Sequence, residues 1–199
     1  MSEEDIKIKA IKIVMLGDTT VGKTSIIKAY LNMGFTQDML SNIGVDKNEK
    51  QITMKDGNEI KLVIWDTAGQ ERFHSVATNT IKSAQGVIVS FDLTNIKSFE
   101  NVSRWLEDIK ENNNKIPIFL FGNKCDLLEK IEVNDEDINA FLNRHQLDKL
   151  KYYETSAKEN INIQEGFTKI AEEAYEKLGC SYGVELKKIK NKKKDKSLC

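Results

Sequence analysis

Short apolar runs alternate with amphipathic stretches along most of the chain. Ile11–Leu16 has the composition of a buried strand and ends at Gly17, and Lys23–Leu31 has the apolar spacing of a helix. Further strands are predicted at Gln51–Met54, Ile60–Trp65, Gly86–Leu93, Ile116–Phe121 and Tyr152–Thr155. A second helix is predicted between the third and fourth of these strands, with Phe99, Val102, Leu106 and Ile109 on one face. Two more helices are predicted from about Asp135 to His145 and at Ile161–Leu178. Because alternating strands and helices need crossover connections, the pattern predicts an α/β fold with a mostly parallel sheet and helices on both faces.

Turn and cap residues mark several boundaries. Asp56-Gly57 lies between two of the predicted strands and indicates a β-hairpin. Asn134, followed by acidic residues, indicates the start of a helix. Gly179 is predicted to end the last helix, because glycine is common just past helix C-termini. We therefore expect one domain over residues 1–178 and a flexible basic tail over residues 179–199.

Charge is distributed unevenly along the chain. The 199 residues hold 30 Lys and Arg and 31 Asp and Glu, and the net charge of −1 gives no support for a nucleic-acid-binding protein. Residues 187–199 contain seven Lys and one Asp, so this tail carries +6 and the rest of the chain −7. A basic tail on an acidic body indicates contact with an anionic surface; the alternative is a solvated run of charge.

The cysteines and the N-terminus indicate the cellular compartment in which the protein is expected. Cys125, Cys180 and Cys199 are odd in number and lack paired spacing, which excludes a disulfide framework and fits a reducing environment. The charged N-terminus lacks the apolar stretch of a signal peptide, and no apolar run has the length of a membrane span. We expect a cytosolic protein that contacts a membrane only through its tail.

A phosphate-binding loop follows the first predicted strand. The eight residues match G-x-x-x-x-G-K-[ST] and are Gly17, Asp18, Thr19, Thr20, Val21, Gly22, Lys23 and Thr24. In this pattern backbone N–H groups and the positive end of the next helix surround a phosphate. Lys23 would bridge the β- and γ-phosphates and the Thr24 hydroxyl would bind Mg²⁺. The alternative, a glycine-rich turn without a ligand, is disfavoured by the strand–loop–helix context.

Two later loops indicate which base is bound. Asp126, in Gly122–Asp126, can accept from both the ring N–H and the exocyclic amine of guanine, an edge that adenine does not offer. In the same loop Asn123 can bond to the purine and tie loops together, and the stem of Lys124 can lie along the purine face. After the last predicted strand comes Ser156-Ala157-Lys158, where the Ala157 amide can donate to the guanine carbonyl. The two loops together predict a guanine nucleotide.

The loop after Ile60–Trp65 carries the residues that hydrolysis would need. Asp66 is placed to hold Mg²⁺ through water, and the Gly69 amide could donate to the γ-phosphate. Gln70 could orient the attacking water. The alternative for Gln70 is a solvated polar residue at the start of a helix.

With these motifs, the sequence resembles the Ras-like small GTPases, and most closely the Rab family, from about Ile8 to Leu178. The matching segments are residues 17–25, 41–46, 65–73, 122–126 and 154–158. The resemblance implies a P-loop small G domain, with a six-stranded mixed sheet and five helices, that binds GTP or GDP with Mg²⁺. It also implies slow GTP hydrolysis without an activating protein, and a switch function in vesicle transport.

The same resemblance implies further site residues and partners. Ser25 belongs to the nucleotide-binding motif, and Phe35 would lie against the guanine edge; the alternative for Phe35 is a core aromatic. An exchange factor, a GTPase-activating protein and effectors would contact residues 35–47 and 65–84.

Asn42 departs from the family pattern, which has Thr at this position. Its side-chain carbonyl could still ligate Mg²⁺, but from a longer arm, and Mg²⁺ demands near-ideal geometry. We therefore expect weaker ordering of this loop by GTP and slower hydrolysis. The alternative function is a GTP-binding scaffold, or pseudo-GTPase, with impaired switching. A third function, a P-loop nucleoside kinase or ATPase, is disfavoured by the two guanine loops.

Two further departures concern partners and membrane. Where Rab proteins present a Phe–Trp–Tyr surface cluster to effectors, this chain has Lys47, Trp65 and Thr80, so generic Rab effectors should bind poorly. Rab proteins usually end in two prenylated cysteines, whereas this chain ends in one, Cys199, outside a C-a-a-X motif. A lipid on Cys199 plus the lysine run would bind the cytosolic face of an endomembrane; the alternative is an unmodified tail.

Overall fold

A six-stranded sheet forms the centre of the part of the chain that the structure describes. The computed structural model describes residues 10–33, 45–67, 79–148 and 151–195. The strands are β1 (Ala10–Leu16), β2 (Val45–Thr53), β3 (Glu59–Thr67), β4 (Gly86–Asp92), β5 (Ile118–Asn123) and β6 (Tyr152–Thr155). Their order is β2-β3-β1-β4-β5-β6, and only the β2–β3 pair is antiparallel. The predicted α/β class with a mostly parallel sheet is confirmed.

Helices cover both faces of this sheet. They are α1 (Lys23–Tyr30), α2 (Ile96–Glu100), α3 (Val102–Asn112), α4 (Asp135–His145) and α5 (Ile163–Asp195), with a short 3₁₀ helix at Leu128–Lys130. Side chains of β1 alternate between two cores, because successive strand residues point to opposite faces. Ile13 and Met15 pack with α1 and α5, whereas Val14 and Leu16 pack with α2, α3 and α4.

The predicted turn and helix cap are both confirmed. Gly57 has a φ of 82° in the β2–β3 turn, and the Asp56 carboxylate accepts from the Asn58 N–H at 3.0 Å. The Asn134 side chain accepts from the Asp137 N–H at 2.9 Å, and the Asp137 carboxylate accepts from the Asn134 N–H at 3.3 Å. This reciprocal pair caps two free N–H groups at the start of α4.

Strands β2 and β3 are longer than the apolar pattern predicts. Their antiparallel register runs without interruption from Val45 opposite Thr67 to Thr53 opposite Glu59. Apart from Val45, the added part of β2 is polar, and such a segment has no apolar signature in the sequence. Backbone pairing with β3 extends β2 beyond its apolar residues.

The predicted single helix after β4 is two helices. The chain passes from α2 to α3 at Asn101, where the Arg104 N–H bonds to the Asn101 carbonyl at 3.1 Å and the Trp105 N–H is stretched to 3.4 Å. This local tightening to an i→i+3 bond interrupts the α-helical ladder. The four apolar residues that predicted the helix are nevertheless all buried on one side of the sheet.

The prediction that Gly179 ends the last helix is wrong. Helix α5 continues through this residue to Asp195. A glycine terminates a helix by adopting a left-handed conformation, and Gly179 is not among the residues with positive φ. Glycine inside a helix costs about 1 kcal/mol relative to alanine, and the leucine and lysines that follow favour continuation. The domain boundary at residue 178 stays a prediction.

Candidate nucleotide-binding site

Five strands direct loops to one edge of the sheet. Strands β1, β3, β4, β5 and β6 are mutually parallel, so their carboxyl ends lie together, and open α/β sheets bind ligands at such an edge. The predicted phosphate loop follows β1, Asp66 lies near the end of β3, and the two predicted base loops follow β5 and β6. The fold therefore brings the motifs together.

Two glycines let the backbone of the phosphate loop approach the neighbouring strands closely. Gly17 has a φ of 133°, and a Cβ there would lie 2.0 Å from the Ser90 carbonyl oxygen of β4. Gly22 has a φ of 101°, and a Cβ there would lie 2.3 Å from Asn123 Nδ2. Both positions exclude a side chain, so the motif's glycines are required by backbone conformation and by close approach.

Lys23 lies inside the curl of this loop. Its side chain is buried, and Nζ donates to the Gly17 carbonyl at 2.8 Å and to the Asp18 carbonyl at 2.7 Å. Burial lowers the pKa of Lys23 to about 8, while the charges of Asp66 and Asp18 oppose that shift. Helix α1 begins at Lys23, so the positive end of its dipole faces the same loop.

The Asp18 carboxylate is held by the junction of α2 and α3. Asn101 Nδ2 donates to one of its oxygens at 2.7 Å and Trp105 Nε1 donates to the other at 3.0 Å. Sequence reasoning missed Asn101 and Trp105, which are 83 and 87 residues away from Asp18 and belong to no local motif. The contact fastens the phosphate loop to the helical layer.

The remaining loop residues differ in exposure. Thr19 and Thr20 are exposed, Val21 is buried and Ser25 is half-buried. Thr20 has a φ of 64°, a left-handed conformation that a β-branched residue rarely adopts. Thr20 therefore sits in a strained backbone conformation.

A hydroxyl and a carboxylate lie together at the position predicted for magnesium. Thr24 Oγ1 donates to Asp66 Oδ2 at 2.5 Å, and Asp66 is buried. The Thr67 hydroxyl donates to the Met15 carbonyl at 2.6 Å, which fastens the end of β3 to β1. A hydroxyl and a carboxylate are the hard oxygen ligands that Mg²⁺ prefers, so the donor set fits this ion.

Asn123 joins three loops through one side chain. Its Nδ2 donates to the Val21 carbonyl of the phosphate loop at 2.9 Å. Its Oδ1 accepts from the Ala157 N–H at 3.2 Å and from the Thr155 hydroxyl at 3.4 Å. Asn123 is almost fully buried, so these bonds form away from water.

The other base-loop residues are oriented by neighbours. Ser156 Oγ donates to Asp126 Oδ1 at 2.6 Å and accepts from the Glu159 N–H at 3.0 Å, which fixes the Asp126 carboxylate. Lys158 is exposed and pairs with Glu159 at 3.2 Å. Lys124 has a φ of 68°, and its Nζ pairs with Asp92 Oδ2 of β4 at 2.5 Å. Asp92 is a further contact that sequence reasoning missed.

Several predicted residues lie outside the described ranges. They are Phe35, Asn42, Gly69, Gln70 and Cys199. Within the described ranges Lys47 pairs with Glu49 at 2.6 Å and Thr80 is buried. None of the described helices is both long and apolar enough to cross a membrane.

Known proteins match most of this sequence. The sequence model of the Ras family matches residues 12–176 of this chain. The chain is 40% identical over 167 residues to Ras-related protein Rab-10 of Diplobatis ommata, covering 83% of this chain and 82% of that protein. It is 37% identical over 169 residues to Ras-related protein Rab-13 of Rattus norvegicus, covering 84% and 81%. It is 38% identical over 162 residues to Ras-related protein Rab-10 of Caenorhabditis elegans, covering 81% and 79%.

These matches agree with the arrangement of the loops. The Ras family match spans the phosphate loop, Asp66 and both base loops. Neither this match nor the relatives favour the pseudo-GTPase alternative. The chain belongs to the Ras family and is a Rab-like small GTPase.

Proposed function

We propose that this GTPase binds GTP or GDP with Mg²⁺ at the edge formed by the phosphate loop and the two base loops. It hydrolyses GTP and acts as a switch in vesicle transport. The observation that carries the proposal is the Asn123 side chain, which bonds at once to the phosphate loop and to the loop after β6. A ligand with a purine at one end and phosphates at the other fits this connected arrangement.

In this proposal the phosphates lie in the curl of residues 17–24. Lys23 exchanges the carbonyls of Gly17 and Asp18 for phosphate oxygens, which are stronger acceptors because they are charged. The first N–H groups of α1 add donors with a favourable dipole. Thr19, Thr20, Val21 and Ser25 complete the loop around the phosphates.

Guanine recognition follows from the oriented carboxylate of Asp126. The Ser156 hydroxyl holds one carboxylate oxygen, so that the group can accept from the two donors on the guanine edge. The Ala157 N–H, the Lys124 stem, Lys158 and Phe35 contribute the remaining contacts. Adenine lacks the two donors, so we expect GTP to bind much more tightly than ATP.

Thr24 and Asp66 would hold Mg²⁺, with Asn42 as a third candidate ligand. The ion, when bound, neutralises charge on the β- and γ-phosphates. Lys23 shares this electrostatic role, the Gly69 amide donates to the γ-phosphate, and Gln70 orients the attacking water. Replacing Gln70 should therefore slow hydrolysis without weakening nucleotide binding.

Regulators and effectors contact residues 35–47 and 65–84 in this proposal. We expect partners that bind an apolar aromatic cluster to bind this protein poorly. In support, Lys47 forms an ion pair with Glu49 and Thr80 is buried. The lysine-rich tail, with a lipid on Cys199, would bring the protein onto the cytosolic face of an endomembrane.

The first test is chromatography of the nucleotide released from freshly purified protein. We expect guanine nucleotide, and a protein that carries none and binds ATP as readily as GTP would refute the proposal. Single-turnover hydrolysis then compares the wild type with Gln70→Leu, which should be at least tenfold slower, with GTP dissociation as the control. Asn42→Thr should speed hydrolysis and tighten Mg²⁺ binding, and an unchanged variant would contradict the role given to Asn42.

A further inference from the structure

We propose that Asp92 is a positioning residue for guanine binding, which acts by holding the ammonium group of Lys124. The inference rests on the proposed function, because it assigns a role within the same site. The register of the sheet makes the contact possible. Asp92 is the last residue of β4 and lies directly opposite Asn123 of β5, so Lys124 follows its cross-strand neighbour.

The Asp92 carboxylate is buried and fixed in orientation. Its Oδ1 accepts from the Thr94 N–H at 2.9 Å and from the Thr94 hydroxyl at 2.7 Å. Its Oδ2 faces Lys124 Nζ at 2.5 Å. At its backbone, the Asp92 N–H donates to Ser98 Oγ at 3.0 Å. Because Thr94 determines the direction of the carboxylate, the lysine ammonium has one well-defined partner.

Lys124 is consequently held at both ends of its stem. The left-handed backbone, with a φ of 68°, sets the direction in which the side chain leaves the chain, and Asp92 fixes the ammonium. A free lysine side chain loses much rotamer entropy when a ligand packs on it. Holding the stem in place before the purine arrives removes part of that loss, which is how preorganisation increases affinity.

Loss of the Asp92–Lys124 ion pair should affect nucleotide binding and leave the chemical step unchanged. Both GDP and GTP present the same base to Lys124, so loss of the ion pair should weaken both by the same factor. Hydrolysis of bound GTP takes place at the phosphates and should not change. A general loosening of the fold would instead alter hydrolysis and stability together.

The experiment measures dissociation of fluorescently labelled GDP and GTP from the full chain with Mg²⁺. Asp92→Asn keeps the shape of the side chain and removes its charge, and we expect dissociation to become about three- to tenfold faster for both nucleotides. Lys124→Met keeps most of the stem without the ammonium and should give a similar increase. The double variant should dissociate no faster than Lys124→Met alone.

Two controls separate positioning from structure. Ser98→Ala removes the bonds of the Ser98 hydroxyl to the Asp92 backbone and to the Asn95 carbonyl and leaves the ion pair, so its dissociation rates should match the wild type. Single-turnover hydrolysis by Asp92→Asn should also match the wild type. The inference is overturned if Asp92→Asn dissociates within twofold of the wild type, or if it accelerates dissociation equally in the Lys124→Met background. A wild-type protein that binds no guanine nucleotide overturns the proposed function instead, and this inference with it.

Discussion

Replacing Trp105 by Phe should remove about 1.5 kcal/mol of coupling between helix α3 and the phosphate loop. Trp105 is 9% exposed, and its indole N–H donates to Asp18 Oδ1 at 3.0 Å. A hydrogen bond to a charged group contributes about 1.5–3 kcal/mol. We take the lower end because Asp18 is half-buried and keeps its second donor, Asn101.

Asp18→Ala should destabilise the protein more than the loss of this one bond does. It leaves the buried Trp105 N–H without its acceptor, and an unsatisfied buried donor costs about 1–3 kcal/mol. The amide of Asn101 is exposed at this contact, so water can replace its partner at little cost. We expect a total loss of about 2–3 kcal/mol for Asp18→Ala.

A double-mutant cycle isolates the coupling from the change in ring size. Denaturant unfolding of the wild type, both single variants and the double variant is followed by circular dichroism at saturating GDP and Mg²⁺. Measured GDP affinities correct each free energy of unfolding for ligand binding. If the losses from Asp18→Ala and Trp105→Phe add to within about 0.5 kcal/mol, the hydrogen bond does not couple them and the reasoning is refuted.

Three further predictions test the phosphate loop and the surface of β2. Gly22→Ala places a methyl group where there is no room and should weaken GDP binding about a hundredfold; binding within tenfold of the wild type, measured by equilibrium titration, would contradict it. Thr20→Gly relieves a left-handed threonine and should raise the free energy of unfolding by about 1 kcal/mol; a destabilised variant in urea unfolding would contradict it. Hydrogen bonds from Lys47 and Lys61 lower the pKa of Glu49 to about 2 from its ordinary 4.5. The stability that Glu49 contributes is therefore present above pH 4.5 and lost as pH falls towards 2. Nuclear magnetic resonance titration of the Glu49 carboxyl checks this, and an ordinary midpoint would contradict it.

Much of the site could be predicted from the sequence because its chemistry is encoded locally. The residues of the phosphate loop are consecutive, and a short loop with fixed spacing specifies its own backbone conformation. Gly17 and Gly22 show this, since each is required by a positive φ and by close approach to a neighbouring strand. The strand runs before each loop then place Asp126 and Ala157 at the same edge of the sheet, which follows from parallel topology alone.

Contacts between distant residues could not be predicted in this way. Asp92 and Lys124 are 32 residues apart, and their meeting depends on the β4–β5 register, which apolar runs do not specify to the residue. Trp105 contributes to an apolar helix face, and the sequence alone gives no sign that its N–H reaches Asp18. Polar side chains that serve the site from outside its motifs become visible only once the strands and helices have been placed.

The error at Asn101 and the missed contact to Asp18 have a common cause. Apolar spacing predicts the buried helix face, which is formed by Phe99, Val102, Leu106 and Ile109. It predicts one continuous helix because the polar residues between these positions are not part of the apolar pattern. Asn101 is one of those polar residues, and it lies where α2 ends and α3 begins while its side chain donates to the phosphate loop. The hydrogen bond from the Asn101 amide at this helix break to the phosphate loop joins distant parts of the chain. Periodicity therefore identified the core and missed the residue that connects the core to the site.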